Sequence, residues 1–430
     1  MRALSGWQRN VWALTLTVFV AFVGFQFFSP FLPLYVHELG VTDPRSIALW
    51  SGVLAGVTPA VSGLLGPLVG RLADRFGRKM MLIRSLGGFV VIITAMGLVT
   101  SVQQFLVARI VQGFFAGFTP MAMALASVSA PPDRVPTVIA MLQSAQLLSN
   151  AVGPAAGGYV ASHFGIRYAF FVTAGMCALA LIALIVLFRE VGPGRPAAST
   201  ASPLRLRDVI RQRNFPVVIA LLLIAQFLDR GLGLLIPLQV NQLPGVEAVA
   251  AVSGTIISVA AVAATVSSNV AARLTRGIPA AQLLMLVLLI GGPLCASMAL
   301  ARSWPTLLVL RALAGLCLGG AITLAYTLGA EIVPSEHRGA AFGWLAFGLQ
   351  FGTAASPLVT GALAAVSLPG AYVFYGALVT DESSPIFRYP KRAYFIIGRD
   401  GTVKYVKVLE NPTMLLEPSE VLAALKASAA

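Results

Sequence analysis

Long apolar runs, each free or nearly free of charge and about 20 residues or more in length, recur along this chain and match the roughly 30 Å of hydrocarbon that a spanning helix must cross. Eleven are legible: Val11 to Val36, Ile47 to Val69, Met80 to Val99, Phe105 to Val128, Val135 to Val160, Tyr168 to Phe188, Phe215 to Val240, Ala248 to Ala272, Ile278 to Leu300, Leu307 to Ala330 and Ala340 to Val366. The first run is longer than the apolar core of a cleavable signal and lacks a small-residue cleavage site, so it is expected to stay as the first span. Composition agrees: 430 residues, 57% hydrophobic, 11% charged, mean hydropathy +0.85, which requires a bilayer as solvent.

The net charge of +14 reports orientation rather than a nucleic-acid partner. Seventeen Lys and Arg residues fall on the side of the spans that holds the N-terminus, among them Arg9, Arg75, Arg78, Lys79 and Arg134, whereas the other side holds only Arg45, Arg167 and Arg302. By the positive-inside rule the N-terminus is expected in the cytoplasm of a multi-pass inner-membrane protein. Cys177, Cys295 and Cys317 fall inside spans with no metal-like spacing and read as small core residues.

The spans form two sets, residues 1–188 and 215–380, joined by a Pro- and Arg-rich linker, 189–214, with a candidate interfacial helix from Leu204 to Arg213. The second set repeats the first at an offset of 202 to 204 residues: Pro33 with Pro237, Arg71 with Arg273, Arg109, Gly113 and Gly117 with Arg311, Gly315 and Gly319, Pro154 and Gly158 with Pro357 and Gly361, Tyr168 with Tyr372. Parallel six-span halves imply a pseudo-twofold axis along the membrane normal and a substrate site between the halves. The expected fold is an all-α polytopic membrane protein of two six-helix pseudo-repeats.

The twelfth span is truncated, because the apolar run from Ala371 ends at Thr380. In residues 381–430, 13 of 50 residues are charged, against 33 of the preceding 380. Ala393 to Ile397 and Thr402 to Val408 alternate like strands around Gly398 to Gly401, and Glu417 to Ala427 reads as a helix. This tail of about 40 residues resembles the end of a thioredoxin-like or peroxiredoxin-type domain. It carries no cysteine, so no redox activity is expected, and a fragment this small buries little core.

Gly70 to Lys79, GRLADRFGRK, with Gly70, Leu72, Asp74, Arg75, Gly77, Arg78 and Lys79 in place, resembles the signature loop of the major facilitator superfamily between its second and third spans. Gly70 permits close helix approach and Gly77 a tight turn. Asp74 can pair with a basic residue or a helix N-terminus, a clasp that holds one conformation. Leu106 to Gly117 resembles the family's fourth-span motif, whose Arg, here Arg109, the resemblance ties to proton transfer; an Arg this early in its span can also snorkel to the interface. Gly153, Pro154, Gly157 and Gly158 resemble the fifth-span motif of the antiporter branches, with Ser149 in place of a glycine.

Asp229 is the only carboxylate deep in a span and, beside Arg230, is the candidate titrating group, with Arg109 as its modulator; structural neutralisation of other buried groups is the other role open to the pair. Gln26, Phe27, Phe118, Gln146, Asn150, Gln226, Phe347 and Gln350 suit a large apolar cavity with a few polar groups. Pro30 to Val41 and Trp50 to Gly52 also resemble the twelve-span drug:proton antiporters. The resemblance implies a monomeric proton-driven exporter of small hydrophobic compounds. A sugar or metabolite carrier, a tethered thioredoxin-like protein and an inactive chimera are the alternatives. No ATP-binding loop, metal cluster or nucleophilic triad is present, so neither an enzyme nor a cofactor is expected.

Overall fold

In the computed structural model, residues 6–131, 134–188, 215–275, 277–332, 338–380, 393–397 and 403–408 are described. The linker helix, Arg276, the Gly398 to Gly401 turn and the Glu417 to Ala427 helix lie outside them. So do the side chains of Arg71, Asp74, Trp344 and Phe347.

Helices form along the apolar runs, and prolines and glycines set their breaks. α1 (Gly6–Phe28) passes through a 3-10 turn at Ser29–Phe31 into α2 (Leu32–Glu38), where Pro30 and Pro33 cannot donate to the helical ladder. α3 (Pro44–Phe76) starts on Asp43, whose carboxylate accepts from the Ser46 N–H at 2.9 Å and its hydroxyl at 2.7 Å. α3 ends at Gly77, φ +90°, and that single residue starts α4 (Arg78–Leu98). Only glycine takes this backbone hand at little cost.

The fourth run, expected as one helix, is two. α5 (Val102–Phe115) and α6 (Phe118–Ser129) are separated at Ala116 and Gly117, where φ of +104° ends the ladder. α7 (Val135–Phe164) and α8 (Ile166–Leu187) meet at Gly165 in the manner of α3 and α4. The second half holds α9 (Phe215–Val240), α10 (Val249–Leu274), α11 (Ala280–Ser297), α12 (Trp304–Leu318), α13 (Ala321–Ile332) and α14 (Arg338–Val366). The break of the fourth run recurs at its repeat, between α12 and α13. Nine helical segments among the described residues are long and apolar enough to cross a membrane.

α15 (Leu368–Thr380) begins three residues before the expected Ala371, because the Ser367 hydroxyl accepts the Gly370 N–H at 3.0 Å. Its 13 residues reach about 20 Å, short of a full crossing. Further on, β1 (Ala393–Ile397) pairs antiparallel with β2 (Val403–Val408), Ala393 opposite Val408.

Packing follows the repeat. α1 lies on α7 as α9 lies on α14, α3 on α5 as α10 on α12, and α4 on α8 as α11 on α15. Each half has its own apolar core, one around Leu14, Tyr35, Phe105 and Phe170, the other around Leu222, Leu235, Leu324 and Tyr372. The Tyr35 hydroxyl donates to the Met96 carbonyl at 2.7 Å; in the second half the Gln239 amide donates to the Met298 carbonyl at 2.8 Å.

The halves meet through α3 against α14 and α7 against α10. The close contacts lie toward the face opposite Gly77. A Cβ on Gly52 would meet the Pro357 carbonyl, one on Gly361 the Ala48 carbonyl, one on Gly158 the Ala250 carbonyl and one on Gly254 the Pro154 carbonyl. Lipid tails are as apolar as leucine, so small residues that let backbones touch carry such contacts. Hydrogen bonds cross the seam: Ala155 N–H donates to the Ser258 hydroxyl at 2.9 Å, and Ala251 N–H to the Ser162 hydroxyl at 3.0 Å. Toward the basic face, by contrast, Leu64 is 83% exposed, and a Cβ on Gly63 or Gly66 would meet open space. The space between the halves therefore opens on the face that carries Gly77.

Candidate functional site

The antiporter-like stretch of α7 presents two faces. Gly153 lies against Val23 and Gln26 of α1, and Gly157 against the Phe27 backbone. Pro154 and Gly158 face α10 across the seam. One helix thus packs its own half with one row of small residues and joins the other half with the next.

The signature loop sits at the open face. Gly70 and the backbone of Asp74 belong to the last turns of α3. The Arg75 guanidinium lies over the Phe76 ring at 5.4 Å. Arg78 donates to the Ala124 carbonyl of α6 at 3.1 Å, and Lys79 to the Phe188 carbonyl beyond α8 at 3.1 Å. Both bonds stay within the first half; the Phe188 carbonyl lies just past the last turn of α8, where helix carbonyls lack an internal partner, whereas the Ala124 carbonyl also accepts from the Ser127 hydroxyl.

Arg109 and Asp229 are not brought together. Arg109 is buried, its Nε donating to the Leu54 carbonyl at 2.8 Å and its Nη1 to the Gln112 amide oxygen at 2.9 Å, with the Phe28 ring 5.9 Å away. Asp229 is met instead by Arg311 of α12, the repeat partner of Arg109, at 3.3 Å. The Arg311 side chain is 7% exposed and that of Asp229 57%. Arg311 Nε is buried without a partner. Sequence reasoning counted Arg311 only as a repeat match. Its role depends on two residues 82 positions apart, and the signal available was a second in-span Arg with one carboxylate to share.

α9 is enclosed along most of its length. Among its described side chains only Pro216, Asp229 and Arg230 are exposed. Pro216 is at the helix end, so the two exposed charges lie near the middle of a helix that also touches α2 and α3 of the first half. Gln226, one turn earlier, is buried beside Gly352 of α14.

The expected cavity residues divide. The Gln26 amide donates to the Asn150 side-chain oxygen at 2.8 Å, tying α1 to α7. Gln146 Nε2 is buried without a partner, and Gln350 is exposed. Phe27 and Phe118 are packed, 7% and 3% exposed: Phe27 backs Gly157, and Phe118 stacks near Phe22 and Phe25 at 6.1 and 6.4 Å. They are core residues here rather than an open wall, because aromatic rings of one half find each other first. Phe347 lies outside the described side chains.

The arrangement is two bundles joined along one seam, with an exposed charged cluster on α9 of the second half. It resembles known proteins in sequence and shape. The chain is 31% identical over 364 residues to the multidrug resistance protein MdtG of Salmonella arizonae, covering 84% of this chain and 89% of that protein. Its structure matches a bacterial homolog of the human lysosomal transporter Spinster, in an inward-facing and occupied conformation, with a TM-score of 0.68 at 19% identity, over 83% of this chain and 81% of that one. It also matches a mutant form of the nucleoside transporter NupG with a TM-score of 0.71 at 12% identity, over 88% of this chain and 98% of that one. The Major Facilitator Superfamily profile matches residues 14–303 and 250–380, so this chain is a multi-pass membrane transporter belonging to that superfamily.

Proposed function

We propose that this transporter exports small, largely hydrophobic compounds in exchange for protons, by alternating access of two rocking halves. The observation that carries the reading is the exposure of Asp229, beside Arg230, on a mostly enclosed α9, paired to a buried Arg311 on α12. A carboxylate so placed can exchange a proton with the central space and release or engage its partner as it does. The fifth-span glycines and the kinship with a multidrug resistance protein favour export. In this reading the N-terminus is cytoplasmic, the protein acts as a monomer in the inner membrane, and Asp74 and Arg78 govern the cytoplasmic gate.

The test is transport into everted vesicles. A proton gradient drives accumulation of a hydrophobic dye, and collapsing the gradient stops it; accumulation indifferent to the gradient refutes the coupling. Asp229→Asn uncouples or abolishes export, and full activity in that variant removes Asp229 from the mechanism. A sugar or metabolite carrier is the second reading, favoured by the Gln26–Asn150 pair and the unpartnered Gln146 amide. A thermal-shift screen that finds polar ligands alone selects it.

A further inference from the structure

Charge around Asp229 does not balance. Inside the spans the described residues place Arg84, Arg109, Arg230 and Arg311 against the one carboxylate of Asp229. Arg84 lies in the first half and donates to the Phe114 carbonyl at 3.0 Å. Arg109 is spoken for by the Leu54 carbonyl and Gln112. Asp229 is engaged by Arg311, which itself keeps a buried Nε without a partner. That leaves Arg230, exposed near the middle of α9, with no ion pair among the described residues. Its repeat partner Gln26 is occupied by Asn150 across a helix seam; among the described residues Arg230 has no such bond. Two guanidinium groups around one carboxylate leave an excess positive charge at this point of the span, and a charge within a span is seldom placed there without a partner or a use.

We infer that Arg230, backed by Arg311, seats the anionic head of an amphipathic organic substrate, a carboxylate, sulfonate or phosphonate, while the apolar body lies against the hydrophobic helices around it. The guanidinium fork matches two oxygens of such a group and holds them with charge-assisted hydrogen bonds. A cationic substrate meets two positive groups and a carboxylate already claimed. A neutral one leaves Arg230 uncompensated. The inference rests on the transport reading above and narrows its substrate class.

The experiment uses the purified full chain in neutral detergent and three matched probes, 2-naphthoate, methyl 2-naphthoate and 2-naphthylmethylammonium, with binding measured by equilibrium dialysis at constant chloride. Naphthoate binds at least about tenfold more tightly than either companion, a difference of roughly 1.4 kcal/mol. Arg230→Gln erases that preference, Arg230→Lys keeps part of it, and Asp229→Asn leaves it intact or strengthens it. Tightest binding of the ammonium probe overturns the inference, and so does a naphthoate preference that survives Arg230→Gln. The probe series in the unaltered protein stands by itself should a variant fail to fold. Gradient-driven export without anion preference sinks this inference alone. Arg230-dependent naphthoate binding without gradient-driven export sinks the coupling and leaves the anion seat in place.

Discussion

Arg311 reaches Asp229 at 3.3 Å, while Arg109, at the equivalent place in the first half, turns to a backbone carbonyl of its own bundle. The pair is lopsided, one partner buried and the other open. Removing the open carboxylate strands a buried cation; removing the cation strands a carboxylate that water can reach. Asp229→Asn is therefore expected to lower thermal stability more than Arg311→Gln, by about 1–3 kcal/mol against less than about 1. The double variant should recover part of the loss. Melting curves of the three proteins in detergent decide it, and equal losses in the single variants speak against the asymmetry.

Ser162 completes a helix that is not its own. Ala248, at the start of α10, offers no capping side chain, and the Ser162 hydroxyl of α7 takes the Ala251 N–H in its stead. This bond exists only while the two halves touch at the far face. Ser162→Ala is expected to disfavour this conformation by about 1 kcal/mol, roughly a fivefold change in population. Distances between spin labels placed across that face should lengthen; an unchanged distribution removes the bond from the conformational balance.

Gly158 and Gly63 form a paired control. A Cβ on Gly158 runs into the Ala250 carbonyl, and one on Gly63 meets nothing. Gly158→Val is expected to prise α7 from α10 and raise labelling of a cysteine placed at the far face, whereas Gly63→Ala leaves labelling unchanged.

Tyr35 and Tyr372 are both fully buried, yet only Tyr35 has a hydroxyl partner. Tyr35→Phe should cost about 1 kcal/mol by leaving the Met96 carbonyl without its donor. Tyr372→Phe should be neutral or stabilising. The reverse order in thermal denaturation is the failing result.

Asp43, outside the spans, has its carboxyl held below the ordinary 3.8, first by the Ser46 hydroxyl and then by the Ser46 N–H. A depressed carboxyl stabilises the folded helix start above its unfolded pKa, and the contribution fades as pH falls through the folded value. Hydrogen exchange at the first turn of α3 should accelerate as pH drops below about 4, beyond the chemical rate. Ser46→Ala should shift that onset upward.

Run length and composition made the spans legible, since a backbone crossing lipid has few choices. The internal break at Gly117 was not, because a glycine that packs and a glycine with positive φ look alike in sequence. Asp229 stood out as a solitary carboxylate, but its partner did not. Which in-span arginine it meets depends on how α9 and α12 are rotated against each other. Ser162 and Ser258 passed unnoticed for a similar reason, as ordinary serines made significant only by a helix from the other half.

Gly77 and Gly165 join their helices with a single residue each, so α3 with α4 and α7 with α8 are short-coupled pairs with little slack. The seam where α7 crosses α10 then acts as a fulcrum near one end of a helix about 45 Å long. In the proposed rocking motion, a small rotation about that seam is multiplied along the lever arm, so the width of the distant mouth would be governed by residues that never line it.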